Sequence, residues 1–533
     1  MKHIKKIYSI GLMILFIISS QSCKKRFEDL LINPNQPVGV PPYLVMGKEL
    51  NDIVNNIGGN APWDAVMRYN QFYCRNYQYY GDNAYSFTGS FGNYSNDLKN
   101  IQQMESEAAN AGAPARNPYT AVGKFLRAYY YYNLTSLMGD VPLSEALKGL
   151  TNISGPRYDT QKEVFVQILK WLDEANDDFN TLKTEAGDRN FIANDIYYKG
   201  DLSKWQKLSN AFKLRVLISL SKKASDADLK ISNRFNEMMT NSTKFPLFSG
   251  MGDNFSYKYN SDFNRYPTNP SNFGFDALRL NMAEGWVKNL TTLQDPRVFA
   301  TCEPSYKLID QNNWALTDFR AFAGSPTAEN QTEMESKAQS GLYSLIGRYR
   351  YYRTFTAEEG IIVGYPEMCF NIAEAINRGW VAGDGEQWYK NGVDAMMKFY
   401  GIVNGNNTFY FLRTGSPTNL ADYRTAVYSF DFNTYYNQTT VKYETGVAGL
   451  NKILLQKYLA FFMNSGWEAF LNQRRTGIPT FSTGAGIGNG GLLPKRWTYP
   501  VTEQNVNNNN WKTAVDRQFS GQDVVGGELW INK

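Results

Sequence analysis

Histidine is almost missing from this chain. The single one, His3, lies in an N-terminal segment that reads as a signal peptide, so the mature chain has none. That removes Ser-His-Asp and Cys-His catalysis, histidine-ligated zinc and imidazole acid–base chemistry together. Cysteine is nearly as scarce. Beyond Cys23 there are Cys74, Cys302 and Cys369, far apart and without a C-x-x-C spacing, so neither a metal site nor a disulfide framework is indicated. One bridge among these three stays open, and Cys369 falls in a helical pattern as a small buried hydrophobe. An excess of positive charge is also lacking. The formal charge of +5 drops to +2 once Lys2, Lys5 and Lys6 leave with the signal, and the only later basic run is Lys24-Lys25-Arg26. A nucleic-acid surface is therefore not expected. No stretch after the N-terminus is long and apolar enough to cross a bilayer, and no phosphate-cradling G-x-x-x-x-G-K-[ST] loop occurs.

What is present begins with an address. Lys2, Lys5 and Lys6 precede the apolar run Ile7 to Ile18, which is too short to span a membrane as a helix. Ser19, Ser20 and Ser22 follow, and then Cys23. The order reads as a signal peptide over residues 1–22, with Cys23 as a lipidated N-terminus holding a single domain, residues 23–533, to a membrane surface.

Aromatic residues make up 15% of the chain, with 36 Tyr against 32 Phe and 11 Trp. A tyrosine excess suits surfaces that are both apolar and hydrogen-bonding. Prolines at 34, 37, 41 and 42 keep the lead-in extended. Helical patterns then dominate: Tyr119 to Met138; a helix after the capping box Thr160 to Glu163; another opened by Ser203 to Gln206; and Ala277–Thr291, Pro366–Arg378, Gln387–Tyr400 and Leu450–Asn472. Between them run Asn-, Gly- and Tyr-rich stretches at 76–96, 242–275, 303–340, 401–447 and 476–526, read as long loops, the kind that carry function. Gly484–Gly491 and Asn507–Asn510 read as turn or loop material, and Thr408–Leu412 and Leu342–Tyr352 as pieces of small hairpins. The expected fold is mainly α: a tetratricopeptide-like helical-hairpin scaffold with long loops and a few short β-hairpins, although no strict 34-residue period is seen.

An ordered series of short motifs resembles a known family. It comprises Tyr129 to Leu134 running into Met138-Gly-Asp-Val-Pro-Leu143, Tyr158 to Val164 with Leu172 to Ala175, and Gly200 to Leu208 with Leu214 to Val216. Asp295-Pro-Arg297, Ala373 to Ala375 with Arg378-Gly-Trp380, Tyr389 to Val393, Gly466 to Phe470, Arg474 to Pro479, Leu493 to Pro500 and Glu503 to Asn507 complete it. Each is weak alone, but their order over nearly the whole mature chain resembles SusD/RagB-type nutrient-binding lipoproteins, in the broad SusD-like subgroup. The resemblance implies a helical lid on a SusC-like, TonB-dependent outer-membrane barrel. Such a protein captures oligosaccharides or other nutrients at the cell surface and passes them on without bond cleavage, using no cofactor. A surface glycoside hydrolase and a protein-binding helical scaffold are the alternatives.

Candidate site residues come from composition. The segment Trp63–Tyr94 holds 11 aromatics in 32 residues, and from Tyr77 onward it follows no sustained period. Sugars present a flat C–H face for ring stacking and a rim of hydroxyls for amide or carboxylate partners. Ligand contacts are accordingly expected from Tyr73, Tyr77, Tyr80, Asn83, Tyr85, Phe91 and Tyr94. Trp286 and Trp314 are added for lying in or beside loops. Packing of these rings onto the scaffold is the alternative. Glu468, Arg474 and Arg475 read as a structural ion pair at a helix end, Glu374 as a bond to a neighbouring turn, and Asp295-Pro-Arg297 as a turn signal. Trp171, Trp205 and Trp467 read as core. Asp384 and Glu386 are loop carboxylates open to calcium but without EF-hand spacing, so no metal site is assigned.

Overall fold

The computed structural model describes residues 39–56, 65–185, 191, 194–274, 276–412 and 419–533. The signal segment, Cys23, the basic triplet at 24–26 and Trp63 lie outside the described residues.

The longer helices form where the sequence supplies an apolar face, and four of them open on a side-chain cap. They are α1 (Pro42–Asn56), α2 (Lys99–Asn110), α3 (Pro118–Met138), α4 (Gln161–Leu182), α5 (Leu202–Ser219), α6 (Ile231–Thr240), α7 (Glu284–Thr292), α8 (Tyr365–Asn377), α9 (Gly385–Phe399), α10 (Gly446–Ala460), α11 (Glu468–Thr476) and α12 (Asn508–Phe519). Helix α3 opens on a capping box between Asn117 and Thr120 with Pro118 at its first position, and it stops at Gly139, whose φ is +99°. Helix α4 opens on the expected box: Thr160 Oγ1 accepts from Glu163 N–H at 3.3 Å and Glu163 Oε2 accepts from Thr160 N–H at 2.7 Å. Helix α5 starts earlier than expected. Its cap is Asp201, one carboxylate oxygen of which accepts from the N–H groups of Ser203 and Lys204, two orphan donors that a box at Ser203 would leave unserved.

Helices α3, α4 and α5 pack in succession, and α5 also meets α8, which is flanked by α9 and α10. The shared core is rich in tyrosine: Tyr119, Tyr130 and Tyr132 of α3 are fully buried, and the Trp205 ring meets Phe125 edge-on, Phe255 tilted and Phe179 stacked. Trp205 is buried as expected, while Trp171 and Trp467 are half-buried against the same core.

Strands are few and short. Among the described residues they form four antiparallel pairs: β1 (Tyr73–Arg75) with β5 (Leu280–Met282), β2 (Val141–Pro142) with β3 (Tyr158–Asp159), β4 (Phe255–Tyr257) with β6 (Gly360–Val363), and β7 (Gly405–Leu412) with β8 (Tyr423–Phe430). The last pair is the longest, in register from Gly405 opposite Phe430 to Leu412 opposite Tyr423.

Several expectations need correction. The helix expected over Ala277–Thr291 begins only at Glu284, because Leu280–Met282 is spent pairing with Tyr73–Arg75. The helix expected over Leu450–Asn472 is two helices, broken where Met463, Ser465 and Gly466 take left-handed φ of +58°, +57° and +56°. Leu342–Tyr352 is not a hairpin: Leu345 and Ile346 make single bridges, and Arg348–Tyr352 is helical. Asn508–Asn510, read as loop, forms the first turn of α12, held by Asn510 Nδ2 donating to Gly155 O at 3.0 Å. The loops expected at 303–340 and 401–447 hold the helices Tyr306–Asn312 and Gln331–Gln339 and the β7–β8 hairpin.

The buried charges also pair differently from the sequence reading. Arg475 does not bind Glu468; it reaches across to Glu374 on α8, with Nη1 to Oε1 at 2.5 Å and Nη2 to Oε2 at 3.0 Å. Burial works against the Glu374 carboxylate, but the Arg475 guanidinium holds its pKa down to about 2. Glu374 is thus no turn anchor. Glu468 instead accepts from Asn472 on its own helix, and Arg474 donates to the carbonyls of Ser136 and Lys495. Asp295-Pro-Arg297 is more than a turn: the two side chains form a fully buried pair at 2.6 Å, joined by Gln456 and Tyr435. Cys74, Cys302 and Cys369 are all free and buried, and burial pushes the Cys369 thiol up to about 12.

Candidate functional site

The aromatic segment divides in two. Residues on both sides of the turn Gln78–Tyr80 belong to the interior. Tyr73 sits in β1 with no exposed surface. Tyr85 is buried, donating from its hydroxyl to Tyr69 O at 2.9 Å, with its ring against Tyr69 and Phe87. Asn83 is buried as well and acts as a clamp: its Oδ1 accepts from Arg75 N–H at 2.9 Å and its Nδ2 donates to Arg75 O at 3.0 Å and Gln331 Oε1 at 3.2 Å. Trp286 is fully buried, stacked on Phe462 at 4.3 Å. These four are withdrawn as ligand contacts, because β1–β5 pairing and the α10–α11 break carry them inside. Phe91 and Tyr94 are half-buried against Tyr158, Tyr499 and Tyr131, and the Tyr94 hydroxyl donates to Pro142 O, so they fasten their loop to α3 and β2. Trp314 is half-buried beneath the Arg320 guanidinium, 5.0 Å from its ring.

The turn Gln78–Tyr80 behaves differently. Tyr79 is 82% exposed, and its ring lies 6.1 Å from that of Tyr77. Of Tyr80 only the backbone is described. The Arg279 guanidinium covers the Tyr77 ring at 4.0 Å. This turn packs on the helix Gln331–Gln339, which walls a first cleft of about 310 Å³ lined by Asn76, Arg279, Tyr306, Glu335, Gln339 and Tyr343, among others. Asn76 donates from Nδ2 to Leu278 O and Asn281 Oδ1, both at 2.8 Å, while its buried Oδ1 accepts nothing. That oxygen is enclosed behind the cleft wall, one of several buried polar atoms without a partner. A cleft of this size with an aromatic rim, amides and one carboxylate suits a hydroxyl-rich ligand.

A second cleft, of about 350 Å³, opens beside the β7 edge of the long hairpin and is lined by Phe299, Tyr349, Arg350, Arg353, Thr354 and Tyr410, among others. The two clefts share a buried brace. Arg348 pairs with Glu303, both side chains essentially without exposure, and the Tyr306 hydroxyl donates to Glu303 Oε2 at 2.6 Å. Tyr306 and Leu345 face the first cleft, Gly347 and Tyr349 the second. Sequence reasoning missed Arg279, Tyr306 and Tyr343, and the whole second cleft. The only local signal for the latter is the run Tyr349-Arg350-Tyr351-Tyr352 and the alternation of β7.

Asp384 caps α9, accepting from Gln387 N–H at 2.8 Å, and Glu386 holds Lys390 at 3.0 Å and the Tyr436 hydroxyl at 2.8 Å. Both carboxylates are engaged. Among the described residues no group of three or more His, Cys, Asp or Glu side chains is placed to hold a metal ion.

Comparison with known proteins identifies the class. The SusD-like family model, described as starch-binding associating with outer membrane, matches residues 34–500, and the chain belongs to that family. A SusD homologue from Bacteroides fragilis superposes with a TM-score of 0.77 at 27% identity, over 93% of this chain and 100% of that one. A second SusD homologue from Bacteroides fragilis gives 0.74 at 28% identity, over 93% and 99%. A chitin-binding SusD homologue from Flavobacterium johnsoniae shares the fold, with a TM-score of 0.68 at 19% identity over 91% and 98%. No curated protein sequence matches. The mainly helical architecture and the family expected from the motifs are both shown, and the family is one of nutrient-binding proteins. Among the described residues no helix is long and apolar enough to cross a membrane.

Proposed function

We propose that this protein is a cell-surface, outer-membrane lipoprotein that binds a neutral oligosaccharide in the first cleft and delivers it, uncleaved, to a SusC-like TonB-dependent barrel. The observation that carries the ligand reading is a cleft lined by Tyr306, Tyr343, Asn76, Gln339 and Glu335, with the exposed Tyr79 on the turn that packs against its Gln331–Gln339 wall. A ring stacks on the C–H face of a sugar, and amide and carboxylate side chains bond its hydroxyls. The family description and the chitin-binding homologue support a glycan as the ligand class. Cys23 carries the lipid in this reading, and the barrel is the partner that the family implies.

Titration calorimetry of the mature protein with malto- and chito-oligosaccharides tests the reading. Binding is expected with no change in the sugar recovered afterwards. Release of shorter products supports a hydrolase instead, and absence of heat with every glycan supports the scaffold alternative. Cys23→Ser should shift the protein from the membrane to the soluble fraction while leaving its glycan affinity intact.

A further inference from the structure

The second cleft has no part in the reading above, and its chemistry is different. Tyr349 and Tyr410 stack with ring centroids 4.4 Å apart and planes 15° from parallel, and Tyr423 meets both edge-on at 5.0 and 5.5 Å. Three tyrosines from a helix and two strands thus build one platform, and Tyr410 remains 38% exposed on the solvent face of the hairpin. The strand alternation explains this: Phe409 and Phe411 turn inward to the core, so Tyr410 must turn out.

Charge is the second feature. Two arginines line the cleft and no Asp or Glu does. Arg350 is neutralised, its Nε donating to the buried Glu358 at 2.7 Å. Arg353 is exposed, lies 4.7 Å over the Tyr349 ring, and makes no ion pair among the described residues. Its guanidinium fork is therefore available beside a ring platform, the geometry that matches a planar carboxylate carried by a stacking ring.

We propose that this cleft is a second saccharide site, selective for a carboxylate-bearing sugar, with the pyranose on the tyrosine platform and the uronate carboxylate on Arg353. The site stands independently of the ligand in the first cleft.

The test is calorimetric titration of the mature protein with oligogalacturonate, alginate and hyaluronate oligosaccharides, each beside a neutral oligosaccharide of equal length and a sulfated one. At least one uronate should bind. Arg353→Ala, with an unchanged thermal melt, and Tyr410→Ala should each lower that affinity about tenfold, corresponding to about 1.4 kcal/mol, and Tyr79→Ala in the other cleft should not. Failure of every uronate to bind overturns the proposal. So do retention of affinity in Arg353→Ala, an equal loss for neutral sugars in that variant, and binding of the sulfated probe alone. If neutral glycans fail while uronates still bind through Arg353, the first-cleft reading falls and this one stands.

Discussion

The two clefts on either side of the Arg348–Glu303 brace are similar in size and opposite in character. The first is walled by amides, the Glu335 carboxylate and a half-buried arginine, Arg279, over the Tyr77 ring. The second is a tyrosine platform with two arginines and no acid, one of them unpaired among the described residues. One scaffold can thus present two chemistries because short helices, a strand and their connections, and not the long helices of the core, supply the lining. The longer helices provide the fixed frame, and a rigid frame is what lets the lining side chains hold a binding geometry.

The contrast can be broken outright by removing what the clefts share. Arg348→Ala leaves Glu303 buried without its cation, and a loss of about 3–5 kcal/mol is expected, read as a lowered denaturant midpoint with failure of both sites together. Acid should also act on both clefts alike. Glu374 is held near 2 in the fold against 4.5 as its ordinary value. A depressed carboxylate contributes stability above its unfolded pKa that disappears as pH falls toward its folded one. Stability on the order of 3 kcal/mol should therefore drain between about pH 4.5 and 2, and Glu374→Gln should flatten that part of the pH–stability curve.

Smaller effects separate the clefts. Tyr77→Ala with Tyr79→Ala should weaken neutral-glycan binding about tenfold or more and spare uronate binding. Raising salt from 0.05 to 0.5 M (roughly a threefold shorter screening length) should weaken the uronate titration and leave the neutral one unchanged, because only the second cleft offers an exposed cation. Smallest of all, Tyr85→Phe should cost about 1 kcal/mol of stability through its lost bond to Tyr69 O and change neither affinity, which would confirm that this half of the aromatic segment is structural.

Legibility followed the range of the interactions. The box Thr160–Glu163 and the stop at Gly139 act within one helical turn, so the neighbouring residues settle them, and α3, α4, α8 and α9 fall close to where periodicity places them. The turn at Tyr77–Tyr79 was legible as aromatic density, but the burial of Tyr73, Tyr85 and Trp286 was not. A tyrosine is equally at home with its hydroxyl bonded inside and its ring stacked outside. Which of the two occurs depends on partners such as Leu280–Met282, about two hundred residues away along the chain.

By itself the sequence determined a mainly helical protein of this family with a single histidine, His3, in an N-terminus that reads as a signal and lipid anchor, because composition, caps and ordered motifs are properties of the chain alone. Only the tertiary structure decided that Arg475 pairs with Glu374 and not Glu468. It alone carried most of the aromatic segment inside and built a second cleft from Phe299, Tyr349 and Tyr410. Those outcomes depend on which distant surfaces meet when the core closes, and a buried charge or ring takes whichever partner that closure brings within reach.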